Sequence, residues 1–275
     1  MNHTSTTPIA IAARPEVRFD FTSTPAIHHA NNQYLSHFWN ALSIMTPATE
    51  RVLIRIARSL RDEVTDERIR TDIDALVMQE ALHTREHRRL NTRLDELGYA
   101  VTESTTEMDR ILDDYISRVD AASAAALMVA GEHLIYELCS ALVDHPAVTS
   151  DMDQQVRGLL TWHAAEEMEH QSVAYDMYVH LYGNGLRSRL RRVQAFGAAT
   201  RLLGVGGIRI SRRLLAAEPT SDRRAQRAAF FRFMLLTPGY GRTVAAHSLR
   251  FLLPRFRPWH NPHDPRRIQH ALASI

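Results

Sequence analysis

Apolar residues recur three or four positions apart along most of the chain, which is the spacing of an amphipathic helix. The sequence shows no alternation of the kind that marks a β-strand. Pro47 favours a helix start, whereas Gly98 and Gly183 favour helix ends. The pattern therefore predicts four long helices over residues 47–64, 66–98, 104–144 with a break near Asp120, and 149–183.

The segments on either side of these helices differ in composition. Residues 1–45 are rich in Thr, Ser, Asn, His and Pro, which predicts an arm with one short helix over residues 27–41. Beyond Leu186 the helical spacing continues, but several glycines and prolines are expected to divide it into short pieces. These residues are Gly197, Gly204, Gly206, Gly207, Pro219 and Pro238. We predict an arm (1–45), a bundle (46–184) and a helical extension (185–275).

Ionisable residues interrupt the apolar seam of each of the four long helices. In the second helix the seam runs from Ile69 to Leu97, yet its middle positions are charged or imidazole-bearing. Burying bare carboxylates costs several kcal/mol per ion unless a compensating charge is present. We therefore expect metal cations on the bundle axis. The interrupting residues are Glu50, then Glu80, His83 and His87, then Glu132, then His163, Glu167 and His170.

The spacing of these residues is specific. Glu80-x-x-His83 and Glu167-x-x-His170 each place a carboxylate and an imidazole on one face of a helix. Di-iron and di-manganese bundles take one Glu from each of two helices and such a pair from each of the other two. One pair alone more often lies on a solvated face, but the doubled and ordered set favours metal binding. The prediction is an all-α, ferritin-like four-helix bundle with a di-metal site and a helical C-terminal extension.

Residue Glu166 is a neighbouring alternative to Glu167 as a ligand. It lies about 100° around the helix from Glu167, away from the apolar seam. Glu167 lies on the seam and mirrors Glu80, so Glu167 is the expected ligand. His133, next to Glu132, also faces away from the seam and is not expected to bind metal.

The charged residues are unevenly distributed. All 33 basic residues are Arg, which excludes chemistry that needs a lysine Schiff base or a P-loop lysine. The single cysteine excludes an internal disulfide framework and a Cys-rich metal site. Residues 1–185 hold 15 Arg and 28 acids, a balance of −13, whereas residues 186–275 hold 18 Arg and 3 acids, a balance of +15. The extension is therefore strongly cationic.

Several segments resemble a bacterial ferritin-like family catalogued as predicted metal-dependent hydrolases. They are Gln79–His83, Trp162–His170 and Val173–Asp176. The resemblance covers roughly residues 38–265 and includes Pro47 before Glu50 and the segment Pro258-Trp259-His260. It implies a metal-binding helical bundle.

The motif His163-x3-Glu167-x2-His170 is similar to the helix of di-iron arylamine N-oxygenases, in which an additional histidine joins six ligands. The resemblance implies the metal ligands Glu50, Glu80, His83, Glu132, His163, Glu167 and His170. His87 stands where ribonucleotide reductase small subunits carry a radical tyrosine, which argues against radical storage. We expect His87 to hydrogen-bond a ligand imidazole, with a role as an eighth ligand as the alternative. Tyr136, Asp176 and Gln79 are further candidates for orienting ligand imidazoles.

The leading functional hypothesis is a di-iron enzyme that activates O2 to oxygenate or oxidise a small organic substrate, with an external electron donor. Carboxylate and imidazole ligands suit both ferrous and ferric iron, and manganese or zinc are alternative metals. Met128, Ile135 and Ile54 are expected to form the apolar wall of the pocket. The alternatives are a two-metal hydrolase and a non-enzymatic iron-handling protein.

The Arg-rich extension suggests several partners. Over residues 186–215 the arginines alternate with apolar residues, which is typical of a basic amphipathic helix. Such a helix can lie on an anionic membrane surface or dock an acidic carrier protein, or it can pack on the acidic bundle of its own chain or of a partner in a homodimer. No nucleic-acid motif accompanies the charge, so nucleic acid is not an expected partner.

The expected location is the cytoplasm, with a peripheral membrane location as the alternative. The apolar patch at residues 9–13 lacks the preceding cationic region of a signal peptide. No apolar run approaches the roughly 18–20 residues of a membrane span, so we expect no membrane-spanning helix.

Overall fold

The structure is a computed structural model that describes residues 11–219, 221–254, 256–258 and 265–275. Within these ranges the chain is helical and has no strand, which confirms the all-α prediction. The α-helices are α1 (Gln33–Leu60), α2 (Glu67–Glu96), α3 (Val101–Ser117), α4 (Ala121–Asp144), α5 (Gln154–Glu169), α6 (Val173–Tyr182), α7 (Leu186–Ala216), α8 (Arg223–Leu235), α9 (Tyr240–Ser248) and α10 (Pro265–Leu272). Short 3-10 turns occupy Arg61–Glu63, Pro146–Val148 and Leu249–Leu252.

The four bundle helices begin at side-chain caps. An Asn or Asp oxygen just before each helix accepts backbone N–H groups of the first turn, which otherwise lack partners. The capping residues are Asn32 for α1, Asp66 for α2, Asp120 for α4 and Asp153 for α5. The predicted start of the second helix and the predicted break near Asp120 are thus confirmed.

The prediction that a helix starts at Pro47 is wrong, because α1 runs through it from Gln33 to Leu60. A proline inside a helix leaves the carbonyl four residues earlier without its N–H partner. Here that carbonyl belongs to Ser43, and Asn91 of α2 donates its Nδ2–H to it at 2.9 Å. The predicted short helix over residues 27–41 therefore merges into α1. The boundary at residue 45 falls inside this helix, and the division into three regions stays a prediction.

The predicted fourth helix is two helices. The chain leaves the α5 helix at Glu169, and α6 starts at Val173. The backbone N–H of Val173 donates to the carbonyl of His170 at 3.1 Å, which closes the turn between them. Beyond the break, Ala174 and Met177 are still buried in the hydrophobic core. The predicted third helix also starts earlier than expected, at Val101.

The glycines of the extension do not break its helix. α7 is continuous from Leu186 to Ala216, contrary to the prediction, although the breaks before Pro219 and Pro238 are confirmed. At Gly206 a Cβ atom would lie 2.7 Å from Met108 Sδ and 3.2 Å from Met45 Sδ. Gly206 therefore allows α7 to approach α1 and α3 closely.

Helices α1, α2, α4 and α5 form the four-helix bundle. α1 packs against α2 and α4, and α4 packs against α5. α7 lies over both α1 and α4, with α3 beside α1 and α9 beside α4. Apolar side chains fill the interior of the bundle above and below the ionisable residues. Among them, Ile44, Ile73, Leu76, Met128 and Leu159 are fully buried.

Among the residues that the structure describes, one helix meets the length and composition criteria for a membrane span, contrary to the expectation from the sequence. This is α4, Ala121–Asp144, whose most apolar window is 67% buried inside the protein. It also carries Glu132 on the bundle axis. α4 is therefore the central core helix of this fold.

The close contact at Gly206 predicts opposite effects for two leucine substitutions in α7. Gly206→Leu should lower the free energy of unfolding by about 1–3 kcal/mol, because the side chain must displace two buried methionines. Gly197 is exposed, and a Cβ atom added there would meet no atom of another part of the chain within 4 Å. Gly197→Leu should therefore raise the free energy of unfolding by up to about 1 kcal/mol through helix propensity. Urea unfolding measures both, and equal effects would contradict the packing described.

Candidate metal centre

The bundle brings the predicted site residues into one cluster. α1 contributes Glu50, α2 contributes a Glu-x-x-His pair and His87, α4 contributes Glu132, and α5 contributes His163 and Glu167, with His170 directly after its last turn. All are buried, and the most accessible of them is only 8% exposed. The clustered residues are Glu50, Glu80, His83, His87, Glu132, His163, Glu167 and His170.

Seven of these side chains form two adjoining groups. In each group, one ligand-type atom from every member lies within 4.8 Å of the others. The first group is Glu50, His83 and His163, and the second is Glu80, Glu132, Glu167 and His170. Together they are the seven ligands that the sequence predicts. Their role as ligands stays a prediction, but their arrangement in two groups suits two metal ions.

Glu80 and Glu167 lie between the two groups. Glu80 Oε2 is 3.6 Å from His83 Nδ1, and Glu80 Oε1 is 3.4 Å from His170 Nε2. Glu167 Oε1 is 2.9 Å from His163 Nε2, and its Oε2 is 3.7 Å from His170 Nε2. Each carboxylate therefore directs one oxygen at each group. Each could therefore contribute an oxygen to a metal held by either group.

The cluster contains many buried polar atoms without a hydrogen-bond partner among the described residues. An unsatisfied buried polar atom is costly and rare in a native protein. A pair of cations would accept the lone pairs of all of these atoms at once. The residues thus fit two divalent metal ions. The atoms are Glu50 Oε1, Glu80 Oε1 and Oε2, His83 Nδ1, Glu132 Oε1, Glu167 Oε2 and His170 Nε2.

The pKa values of the clustered side chains also favour metal binding. Burial, together with the charge of Glu80, raises the pKa of Glu50 well above its ordinary value. Burial opposes ionisation of Glu80, but His83 and His170 outweigh it and lower its pKa. Burial also opposes protonation of His170, but the charges of Glu167 and Glu132 raise its pKa to about 10. Without metal, bound protons offset the negative charges of these carboxylates. Metal ions bind carboxylate and imidazole ligands by displacing such protons.

His87 contacts a predicted ligand rather than the carboxylates. Its Nε2 lies 2.7 Å from His163 Nδ1, and its Nδ1 lies 2.9 Å from Ser43 Oγ. Burial lowers the pKa of His87 to about 3, so the ring is neutral. A neutral His87 can accept the Nδ1–H of His163 and so direct His163 Nε2 at the cluster.

The other expected orienting residues have different positions. Tyr136 is buried and borders a small space beside Glu132. The Asp176 carboxylate accepts hydrogen bonds from Ser172 and Arg68. Gln79 Nε2 donates to Glu169 and to the carbonyl of Ala12. The roles of these residues in orienting ligand imidazoles stay predictions.

Glu166 contacts His83, although the sequence places it off the seam. It is fully buried, and its Oε2 lies 3.1 Å from His83 Nε2. Trp162 Nε1 and Arg14 Nη1 both donate to its Oε1, at 2.9 Å. A hydrogen bond from His83 Nε2–H to Glu166 fixes the tautomer in which Nδ1 faces the cluster.

Arg14 lies in the segment that the sequence assigns to an arm. Its guanidinium also donates to Glu169 Oε1 at 2.5 Å, so it bridges two carboxylates of α5. This places a positive charge directly outside the cluster. Helical spacing within α5 could not identify either contact, because His83 and Arg14 belong to other parts of the chain.

Comparison with known proteins finds a family model that matches most of the chain. A family model described as "Predicted metal-dependent hydrolase" matches residues 13–262. Comparisons with curated proteins and with solved structures find no match. The matched span contains every residue of the cluster as well as Arg14. Trp259 and His260, which contribute to the resemblance noted in the sequence, lie outside the described residues.

The cluster predicts that Glu167→Gln changes stability with opposite sign in the metal-free and metal-loaded protein. Burial raises the pKa of Glu167 well above its ordinary value. The metal-free protein therefore loses stability as the pH rises above the ordinary range of a glutamate. Glu167→Gln removes that loss and should stabilise the metal-free protein by ~2 kcal/mol at neutral pH. It should also abolish the gain from metal, about 3 kcal/mol per site at a metal concentration 100-fold above Kd.

Glu137→Gln is the matched control for this prediction. Glu137 is a buried glutamate of α4 outside the cluster, and burial raises its pKa to about 7. Its glutamine variant should also stabilise the metal-free protein, but it should keep the gain from metal. Thermal unfolding with and without chelator distinguishes the two variants. A full metal gain in Glu167→Gln would show that Glu167 is not a ligand.

The contact of Glu166 with His83 predicts that Glu166→Gln weakens one of two metal sites. The loss of charge should reduce affinity by ~10–100-fold at the site that contains His83. Titration calorimetry with zinc should resolve one weakened and one unchanged site. Glu169→Gln is the control, because Glu169 also pairs with Arg14 but touches none of the seven residues. Equal weakening in both variants would assign the effect to the Arg14 segment instead.

Proposed function

The chain belongs to the family of predicted metal-dependent hydrolases, and we propose that it is a di-iron oxidoreductase that activates O2 to oxidise a small organic substrate. Two iron ions held by the seven clustered side chains would supply the electrons that reduce O2, with an external donor to restore them. The finer assignment rests on the chemistry of the ligand set and on the character of the space beside it.

The observation that carries the proposal is an apolar cavity lined by residues that neighbour two of the clustered glutamates in the sequence. It has a volume of about 40 Å³ and lies between α1, α3, α4 and α7. Its α4 wall includes Met128 and Ile135, which lie one turn before and after Glu132. Its α1 wall includes Thr49 and Leu53, on either side of Glu50. Met128 and Ile135, two of the three residues expected to wall a substrate pocket, line this cavity, whereas Ile54 does not.

The lining of this cavity suits an apolar occupant. Besides Thr49 and Gly131 it consists of Ala, Val, Leu, Ile and Met side chains. Such a lining offers water no hydrogen-bond partner, whereas O2 or the alkyl end of a substrate needs none. A phosphate or an ester would lose its hydrogen bonds to water there without replacement. The cavity thus favours oxidation of an apolar group over hydrolysis.

The residues around the cluster hold the ligands in place. Thr84 Oγ1 donates to Glu50 Oε2 at 2.6 Å and leaves Glu50 Oε1 directed at His83. Glu166 holds the proton on His83 Nε2, and His87 faces His163 from the other side. Glu80 and Glu167 span the two groups. Apolar packing above and below would exclude water from the bound metals.

A two-metal hydrolase is the second candidate, and the family description favours it. Paired metals can generate a hydroxide and hold the oxygens of a phosphate or acyl group. The same seven side chains could hold zinc or manganese for this purpose. The two candidates differ in the substrate space they need, because hydrolysis requires a polar opening to the metals.

The proposal predicts O2 consumption that depends on bound iron and on the apolar cavity. Protein loaded anaerobically with ferrous iron should bind two ions per chain and consume O2 in proportion to them, as an oxygen electrode measures. Gly131 borders the cavity, and a Cβ atom added there would meet no atom of another part of the chain within 4 Å. Gly131→Leu should fill the space and slow O2 consumption by ~10-fold, with unchanged metal content.

The control is Gly204→Leu, an exposed position of α7 with the same freedom from contacts. This variant should consume O2 at the rate of the original protein. Three results together would favour the hydrolase hypothesis. Zinc- or manganese-loaded protein would cleave phosphodiesters or esters, Glu80→Gln would abolish that cleavage, and iron-loaded protein would consume no O2.

A further inference from the structure

The extension exposes most of the large apolar side chains on the surface. Among the described residues, every exposed large apolar side chain other than Met78 and Leu97 lies in residues 186–275. Leu236 is 65% exposed and Leu253 is 57% exposed. Scattered single apolar residues are ordinary on a protein surface, but a concentration of them marks an interaction site.

Helix α8 carries the densest part of this surface. Phe231, Leu235 and Leu236 are all more than half exposed. Arg224, Arg227 and Arg232 lie between them and one turn before them and are exposed as well. These six residues define the α8 face. Their spacing places arginines and large apolar side chains together on the outward side of one helix.

The inward side of α8 is fixed by packing. Phe233 is buried, and its ring meets the His29 ring edge-on at 5.6 Å. The next helix is anchored by Tyr240, whose hydroxyl donates to the carbonyl of Leu138 at 2.9 Å. Since these contacts orient α8 and α9 against the bundle, the exposed residues of the α8 face point away from it.

Some arginines of the extension are neutralised by the bundle, but those of the α8 face are not. Arg213 pairs with Glu107 at 2.9 Å, and Arg191 pairs with Asp120 at 3.0 Å. Packing on the acidic bundle, one of the alternatives drawn from the sequence, thus accounts for part of α7. In the described part of the chain, no carboxylate lies within ion-pair distance of Arg224, Arg227 or Arg232. Their charge is available to an external partner.

We propose that the α8 face docks the protein on an anionic lipid surface. Exposed arginines interspersed with Phe and Leu are typical of segments that lie in the membrane interface. The guanidinium groups can reach lipid phosphates while their aliphatic stems and the apolar residues enter the acyl boundary. The three arginines attract anionic headgroups without any acidic residue of the α8 face opposing them.

Two other occupants fit the α8 face less well. A second copy of this chain would bring two cationic surfaces together, and their repulsion opposes a symmetric dimer through this face. An acidic protein would satisfy the arginines, but its carboxylates would leave Phe231, Leu235 and Leu236 against a charged surface. A bilayer satisfies both kinds of side chain. The docking is independent of the chemistry proposed for the metal centre.

The test is co-sedimentation of the full chain with lipid vesicles. The protein should bind vesicles of equimolar phosphatidylglycerol and phosphatidylcholine at low salt, bind less at high salt, and not bind pure phosphatidylcholine. The triple variant Arg224→Gln, Arg227→Gln, Arg232→Gln should reduce binding on the order of 100-fold. The triple variant Phe231→Ser, Leu235→Ser, Leu236→Ser should reduce it comparably and remove the binding that remains at high salt.

The matched control removes three exposed arginines from other helices, Arg58 of α1, Arg88 of α2 and Arg157 of α5. Its glutamine variant should bind the vesicles as the original chain does, which excludes a mere effect of net charge. Circular dichroism and bound-metal content show that each variant retains the bundle. Every substituted side chain is exposed, so all variants are expected to fold.

Several results would overturn the proposal. The first is absence of vesicle binding by the original chain. The second is an equal loss of binding in the control and in the Arg224, Arg227, Arg232 variant. Light scattering that shows a dimer dispersed by the serine substitutions would make the face an interface between copies. Binding to polyglutamate but not to vesicles would make it a surface for an acidic protein.

Discussion

Four glutamates on the axis of one bundle are the constraint on which the rest of this structure depends. Glu50, Glu80, Glu132 and Glu167 are each at most 4% exposed, and like charges this close cannot all ionise without cations between them. Imidazoles alternate with them, and protons or metals supply the remaining charge. The fold must therefore hold four helices in a fixed register, because a slip of one residue would turn a carboxylate into the apolar core.

The structure meets this demand with polar contacts between helices at the level of the cluster and apolar packing elsewhere. Ser43 Oγ donates to Asn91 Oδ1, and Asn91 Nδ2 donates back to the Ser43 carbonyl that Pro47 leaves without a helical partner. His87 contacts the same serine and extends the chain of contacts to His163. The proline in α1 is thus tolerated by the network that also fixes a predicted ligand. Stability and site geometry depend on the same side chains here.

Local signals in the sequence predicted much of this, and contacts between distant segments account for what they missed. The doubled Glu-x-x-His spacing, the helix start at Asp66 and the break near Asp120 depend on residues within one helical turn, so the local sequence reveals them. The continuation of α1 through Pro47 depends on an asparagine of another helix. The path of α7 depends on methionines that accept a close helix at Gly206. Such contacts have no signature in the neighbouring sequence.

The role of Arg14 gives a physical sense to a chain whose basic residues are all arginine. Its two terminal nitrogens reach Glu166 and Glu169 at the same time, and one of them also donates to the carbonyl of Ala12. A planar guanidinium can make these contacts in one fixed orientation, whereas an ammonium is a point charge on a flexible stem. Because Glu166 in turn contacts His83, the orientation of Arg14 is transmitted to the face of the imidazole that meets the carboxylates. A segment that the sequence predicts as an arm thereby becomes part of the wall of the candidate metal centre.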